Sequence, residues 1–97
     1  MNHITVAVRV GAKDGPRVML LGRNAWAVLQ LIAAGPQGVT PIEHVGPRWS
    51  AYVYKLRKAG IAVVTIRETH GGQFPGHHAR YALAVPVFIE EPGGVAA

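Results

Sequence analysis

Between positions 48 and 58 the chain reads Arg48-Trp49-Ser50-Ala51-Tyr52-Val53-Tyr54-Lys55-Leu56-Arg57-Lys58, which mixes cations, hydroxyls and large apolar residues without one acid. At about 100° per residue, Trp49, Tyr52, Val53 and Leu56 gather on one side of a helix. Ala51, Tyr54, Lys55 and Lys58 fall opposite them, flanked by Arg48, Ser50 and Arg57. Side chains of these types bind nucleic acid: Lys and Arg take a phosphate or a guanine edge, and Ser or Tyr hydroxyls take phosphate or base. A helix of about 12 residues is roughly 18 Å long and fits the major groove, about 12 Å wide. A basic helix face is also what ordinary solvation produces, so the run needs a context before it means binding.

A second cluster is His70-Gly71-Gly72-Gln73-Phe74-Pro75-Gly76-His77-His78, followed by Arg80. The spacing predicts an exposed loop. Its glycines let the backbone approach a phosphate, and Gln73, His77, His78 and Arg80 supply donors. An exposed flexible loop with Phe74 tucked back is the plainer reading. If the tip lies on DNA, protonated histidines strengthen the contact as pH falls through about 6.5. Three imidazoles also suit zinc, copper or nickel. Glu68 is the one carboxylate close by, and adjacent histidines rarely face one ion, so no metal is expected. Ser50 is the sole serine, and Asp14, Glu43, Glu68, Glu90 and Glu91 are scattered. With no phosphate loop and no GxGxxG stretch, neither an enzyme nor a cofactor is expected.

Several elements must position these residues. Ile4, Val6, Val8 and Val10 alternate with His3, Thr5, Ala7 and Arg9, which predicts a strand with one buried face. A turn at residues 11–16 returns the chain through Arg17 to Leu21 as a hairpin. Asn24 is a candidate N-cap for a helix over Ala25 to Ala34 that buries Ala25, Val28, Leu29 and Ile32. Gly35-Pro36 stops it. Thr40-Pro41-Ile42-Glu43 forms a capping box with proline at the first helical position, so a short second helix starts at Pro41 and ends by Gly46-Pro47. The third helix opens at Pro47 and is stopped by Gly60. Ile61 to Thr69 and Ala79 to Val85, the latter with Tyr81, Leu83 and Val85 on one face, make a hairpin with a long tip. Residues 86–89 extend that hairpin, and Glu90 to Ala97 is a frayed tail.

The chain has 97 residues, enough for one core, and 49% apolar against 15% charged residues supports that core. Ten Lys and Arg against five Asp and Glu give +5, which points to an anionic partner. Residues 44–80 hold Arg48, Lys55, Arg57, Lys58, Arg67 and Arg80 against Glu68 alone, so the excess sits in the third helix and the second hairpin. The absence of cysteine excludes disulfides, Cys-ligated zinc and thiol chemistry. Neither a signal peptide nor a membrane-length apolar run is visible, so a cytoplasmic, nucleoid-associated protein is expected.

Helix, short helix, helix, strand, tip, strand is the order of a winged helix-turn-helix; a generic α+β domain has the same elements. The chain resembles the short winged-helix proteins of phage and bacterial genomes. The resemblance lies in Arg23-Asn24-Ala25-Trp26, Gly38-Val39-Thr40-Pro41, the stretch from Arg48 to Gly60, His70-Gly71-Gly72 and His78-Ala79-Arg80-Tyr81. It implies sequence-specific binding of double-stranded DNA by a transcriptional regulator or phage-type accessory factor. The expected organisation is an α+β fold: an N-terminal hairpin over 1–21, a winged helix-turn-helix with three helices and a β-hairpin wing over 22–89, and a tail over 90–97. The expected DNA contacts are Arg48, Ser50, Ala51, Tyr54, Lys55, Arg57, Lys58, Gln73, His77, His78 and Arg80. The rival reading is a protein-docking or dimerisation module, with the open edge of Ile4 to Val10 pairing with a second copy. RNA is a weaker third option, since no exposed run of aromatic residues offers a stacking surface.

Overall fold

A computed structural model describes residues 4–41, 49–70 and 76–90, the side chains of His70 and His77 excepted. The alternating N-terminal residues form β1 (Thr5–Val10), which pairs antiparallel with β2 (Arg17–Leu21). Val8 and Leu20 are buried, and Val6, Val10 and Val18 pack against the same core, as the period of two requires. Ile4, expected on that buried face, lies ahead of β1 and is exposed.

Strand β2 runs directly into α1 (Gly22–Ala34). Gly22 sits at φ 59° and turns the chain from strand to helix, while its N–H donates to the Ile4 carbonyl at 2.7 Å. The helix therefore begins ahead of Asn24. Leu21, in extended backbone, occupies the cap position without a side-chain hydrogen bond, which corrects the expected Asn24 cap. Ala25, Ala27, Val28 and Leu31 are buried, whereas Leu29 and Ile32 are only half-buried. Covering on two sides moves the most enclosed stripe toward Leu31. The Gly35 N–H closes the helix on the Leu31 carbonyl, and Gly35–Gln37 make a 3₁₀ turn.

The next two residues tie the helices to the second hairpin. Val39 bridges Tyr81, each N–H donating to the other's carbonyl at 2.8 Å. Gly38, at φ 69°, lies so close to that strand that a Cβ would collide with the Tyr81 carbonyl oxygen. Thr40 is buried. Glu43 and the short second helix expected from Pro41 lie outside the described residues, among which there are two α-helices.

The second of these, α2 (Trp49–Lys58), buries Trp49, Val53 and Leu56 of the expected stripe, while its fourth member, Tyr52, is half-buried against the same core. It ends in a Schellman arrangement. Ile61 N–H donates to the Leu56 carbonyl and Gly60 N–H to that of Arg57, both at 3.0 Å. Gly60 takes φ 101°, and Ile61 and Leu56 pack together in the core.

Strands β3 (Val63–His70) and β4 (Gly76–Leu83) pair antiparallel from Val63–Leu83 to His70–Gly76. His70, His77 and His78 thus belong to strands, not to the loop expected for them. The ladder continues into these residues because each further pair satisfies more backbone groups. Val85 is exposed, not aligned with Tyr81 and Leu83, because β4 ends at Leu83. Residues Val87–Ile89 form β5 and pair with β1, not with the wing. Pro86, lacking an N–H, breaks the chain from β4, and its carbonyl accepts from Gly11 N–H at 2.7 Å. The first sheet therefore has the order β2-β1-β5 and the second is β3-β4. Strand β1 is central: β2 pairs along Thr5–Arg9, and β5 covers the other side over Val8–Val10, with Glu90 N–H donating to the Ala7 carbonyl. That half of the edge expected to be open at Ile4 to Val10 is therefore occupied on both sides.

Leu56 is fully buried among both helices and the wing, so Leu56→Ala should cost about 2–5 kcal/mol. Gly38→Ala should also destabilise, by pushing Val39 off Tyr81. Urea unfolding followed by tryptophan fluorescence measures both, and an unchanged midpoint for Gly38→Ala would mean that the bridge is not needed.

Candidate nucleic-acid interface

Helix α2 contains no acid, and Lys55, Arg57 and Lys58 lie in its last turn, where cations complement the helix dipole. With Trp49, Val53 and Leu56 turned inward, Ser50, Tyr54, Lys55, Arg57 and Lys58 are exposed and Ala51 is half-buried. Lys58 Nζ stands 5.4 Å from the centre of the Tyr54 ring one turn earlier, so ammonium and phenol are presented together. Arg48, named with this face, lies outside the described residues.

Arg57 is committed inward. Its Nε and one terminal nitrogen donate to the Val63 carbonyl at 3.0 and 2.7 Å, and the same nitrogen reaches Thr65 Oγ1 at 2.8 Å. The planar fork of arginine suits this double contact. Arg57 thus braces α2 against β3.

The wing separates into two faces by strand parity. Thr65, Tyr81, Arg67 and Ala79 share one face through their cross-strand register. That face meets α2, through the Arg57–Thr65 bond and the Trp49–Tyr81 stack at 6.5 Å. Ile66, Arg80, Glu68 and His78 share the other. There Glu68 accepts from Arg80 Nε at 2.7 Å and lies 2.9 Å from His78 Nε2. Arg80 also donates to the Gln37 carbonyl at 2.7 Å, tying the wing to the 3₁₀ turn. The His78 side chain is only 15% exposed, unlike the free imidazole expected in a loop. Gln73 and the His77 side chain lie outside the described parts.

Arg67 was not among the expected contacts, yet it is exposed, on the α2 side of the wing. Its signal was parity: two residues beyond Thr65 on a strand lies the same face. Among the described residues, no group of three or more His, Asp or Glu could hold a metal ion, and no helix is long and apolar enough to cross a membrane.

A family model described as a winged helix domain matches residues 17–92, and the chain belongs to that family. The match opens at Arg17, the first residue of β2. No curated protein and no solved structure matches the chain.

A second carboxylate cluster closes the first sheet. Glu90 accepts from Arg17 Nε at 2.7 Å and Arg9 Nε at 2.8 Å. The Arg80 hydrogen bond, followed by that of His78, holds the Glu68 carboxyl below its ordinary value of 4.5. Arg17, then Arg9, does the same for Glu90. A carboxyl with a lowered pKa in the folded chain binds protons less readily than in the unfolded chain. It contributes stability above 4.5 that is lost as pH falls through the lowered value. The urea midpoint should therefore drop as pH falls below the ordinary carboxyl value of 4.5. A Glu68→Gln/Glu90→Gln variant should start lower at neutral pH and show a flatter acid limb; an identical acid limb would remove these two groups from the account.

Proposed function

We propose that the protein binds double-stranded DNA in a sequence-specific manner, as a non-enzymatic transcriptional regulator or phage-type accessory factor, with α2 in the major groove. The observation that carries this reading is the acid-free outer face of α2, where Ser50, Tyr54, Lys55 and Lys58 are exposed behind a buried Trp49-Val53-Leu56 stripe. Lys55 and Lys58 contact phosphate or guanine edges, and Ser50 and Tyr54 contribute to base choice. Arg67 adds a phosphate contact from the wing face that meets α2. Arg48, Gln73 and His77, expected from the sequence as contacts, belong to the same proposed footprint. Arg57, His78 and Arg80 hold the wing in place, and Ala51 lets the helix approach closely.

The test is duplex affinity against salt. Affinity should fall steeply as salt rises, since phosphate contacts release counterions. Lys55→Ala/Lys58→Ala should weaken binding to all duplexes and lower the salt slope by about one unit per lost phosphate contact. Tyr54→Phe or Ser50→Ala should instead change which sequences are selected from a random duplex pool. Arg80→Ala should lower the unfolding midpoint with little change in slope. Unchanged affinity in the folded double-lysine variant would refute the placement of α2, and salt-independent binding would favour a docking module.

A further inference from the structure

Among the described residues the two sheets have four outer edges, and three of them are blunted. On β3, the Arg57 guanidinium occupies the Val63 carbonyl, and Arg67 places a charge farther along. On β4, Val39 bridges Tyr81. Strand β5 is three residues long, too short to template a neighbour. That leaves β2, five residues with no proline or bulge, whose one cation, Arg17, is paired with Glu90. Met19 is 50% and Leu21 61% exposed on it.

The direction of its free backbone groups follows from two printed bonds of the ladder. Val10 N–H donates to the Pro16 carbonyl, and Gly22 N–H to the Ile4 carbonyl. Antiparallel pairing alternates, so Val18 and Leu20 also point their backbone groups at β1. Arg17, Met19 and Leu21 point theirs outward, except that the Leu21 carbonyl, at the cap position, serves the first turn of α1.

We propose that this edge pairs with β2 of a second copy of the chain, antiparallel about a twofold axis through Met19. Met19 then exchanges both backbone bonds with the partner's Met19, and Leu21 N–H reaches the partner's Arg17 carbonyl. The register sets no like charges opposite each other. Arg17 lies opposite the partner's Leu21, not opposite another cation, and its own charge is held by Glu90 at 2.7 Å. Val18 meets the partner's Leu20 on the inner face, so the apolar layer over α1 continues across the axis. The result is one six-stranded sheet with closed twofold symmetry.

The oligomeric state of the full chain, measured without DNA, tests this independently of the proposed function. Sedimentation equilibrium from about 1 µM to about 500 µM should show the 10.3 kDa chain giving way to twice that mass. Met19→Pro removes only an outward N–H, which an edge strand tolerates, and should leave a folded monomer. Val18→Pro removes an N–H used by β1 and should unfold the hairpin instead. If Met19→Pro fails to fold, Met19→Lys decides: it keeps the N–H but sets two ammonium groups against each other at the axis, and should also be monomeric. A native chain that stays at 10.3 kDa throughout overturns the proposal, whether another protein's strand or nothing fills the edge. So does a doubled mass that survives in folded Met19→Lys.

Discussion

The position of every exposed group on α2 depends on where Trp49 is held. Its ring lies 5.4 Å from Trp26 of α1, 5.9 Å from Tyr52 of its own helix and 6.5 Å from Tyr81 of β4. Tyr52 closes the group on Trp26 edge-on at 6.1 Å. Three elements thus share one aromatic cluster, with pairs worth about 0.5–1.5 kcal/mol each beyond the area they bury. Trp49 opens the described part of α2, so fixing its ring fixes the rotation of the helix. Rotation by one residue, about 100°, would carry Lys55 and Lys58 away from the outer face. The Arg23 guanidinium, 5.9 Å from the centre of the Trp26 ring, covers the cluster from α1.

The formal charge of +5 overstates what this fold offers a partner at each cation. Arg9 and Arg17 are drawn to Glu90, and Arg80 to Glu68. Arg57 is spent on the edge of β3. Of the described cations without an ion pair or a backbone acceptor, Lys55, Lys58 and Arg67 lie on α2 or on the wing face that meets it. The two carboxylates therefore do more than pair charges. Glu90 joins segments distant in sequence, fastening β5 to β1 and β2, while Glu68 orders the far side of the wing across its own hairpin. Among the described residues, both leave the α2 side without an acid.

Much of this was legible in the residues, for identifiable reasons. The period of two in Ile4 to Val10 and the helical spacing of Trp49, Val53 and Leu56 are patterns that burial dictates, and Val8, Trp49, Val53 and Leu56 are buried accordingly. Ile4 at the strand end is exposed, and Tyr52 at the stripe's margin is half-buried. Gly60 stops α2 because its conformation is needed there. Asn24 misled because Gly22, two residues earlier, could already make the turn that a cap is meant to start. Strand β5 misled because three apolar residues after a proline carry nothing to say which sheet they join. Histidine 78 and Arg80 looked free because their partner depends on hairpin register. Only the Glu68–His78 alignment brings the carboxylate to both, and register turns on a tip whose length the sequence leaves ambiguous. The face of Arg67 is hidden for the same reason, since it follows from Thr65 only once Thr65 is known to meet Arg57.

Arg57 shows how helix and wing are made to act as one surface. A helix-terminal cation is expected to reach solvent, and a lysine in its place would have done so, as Lys58 does. The guanidinium instead covers an outward-facing carbonyl of β3 that would otherwise be open, and its planar fork reaches Thr65 from the same position. That contact starts at the residue whose carbonyl also receives Gly60 N–H in the helix stop. The end of α2 and the start of the wing are therefore set by a single residue, with its backbone turning the chain and its side chain aligning the strand that follows. Because Tyr81 of the neighbouring strand is already stacked on Trp49, the wing is gripped at both ends of α2. Arg67 is consequently presented beside the helix by a strand that cannot pivot independently of it.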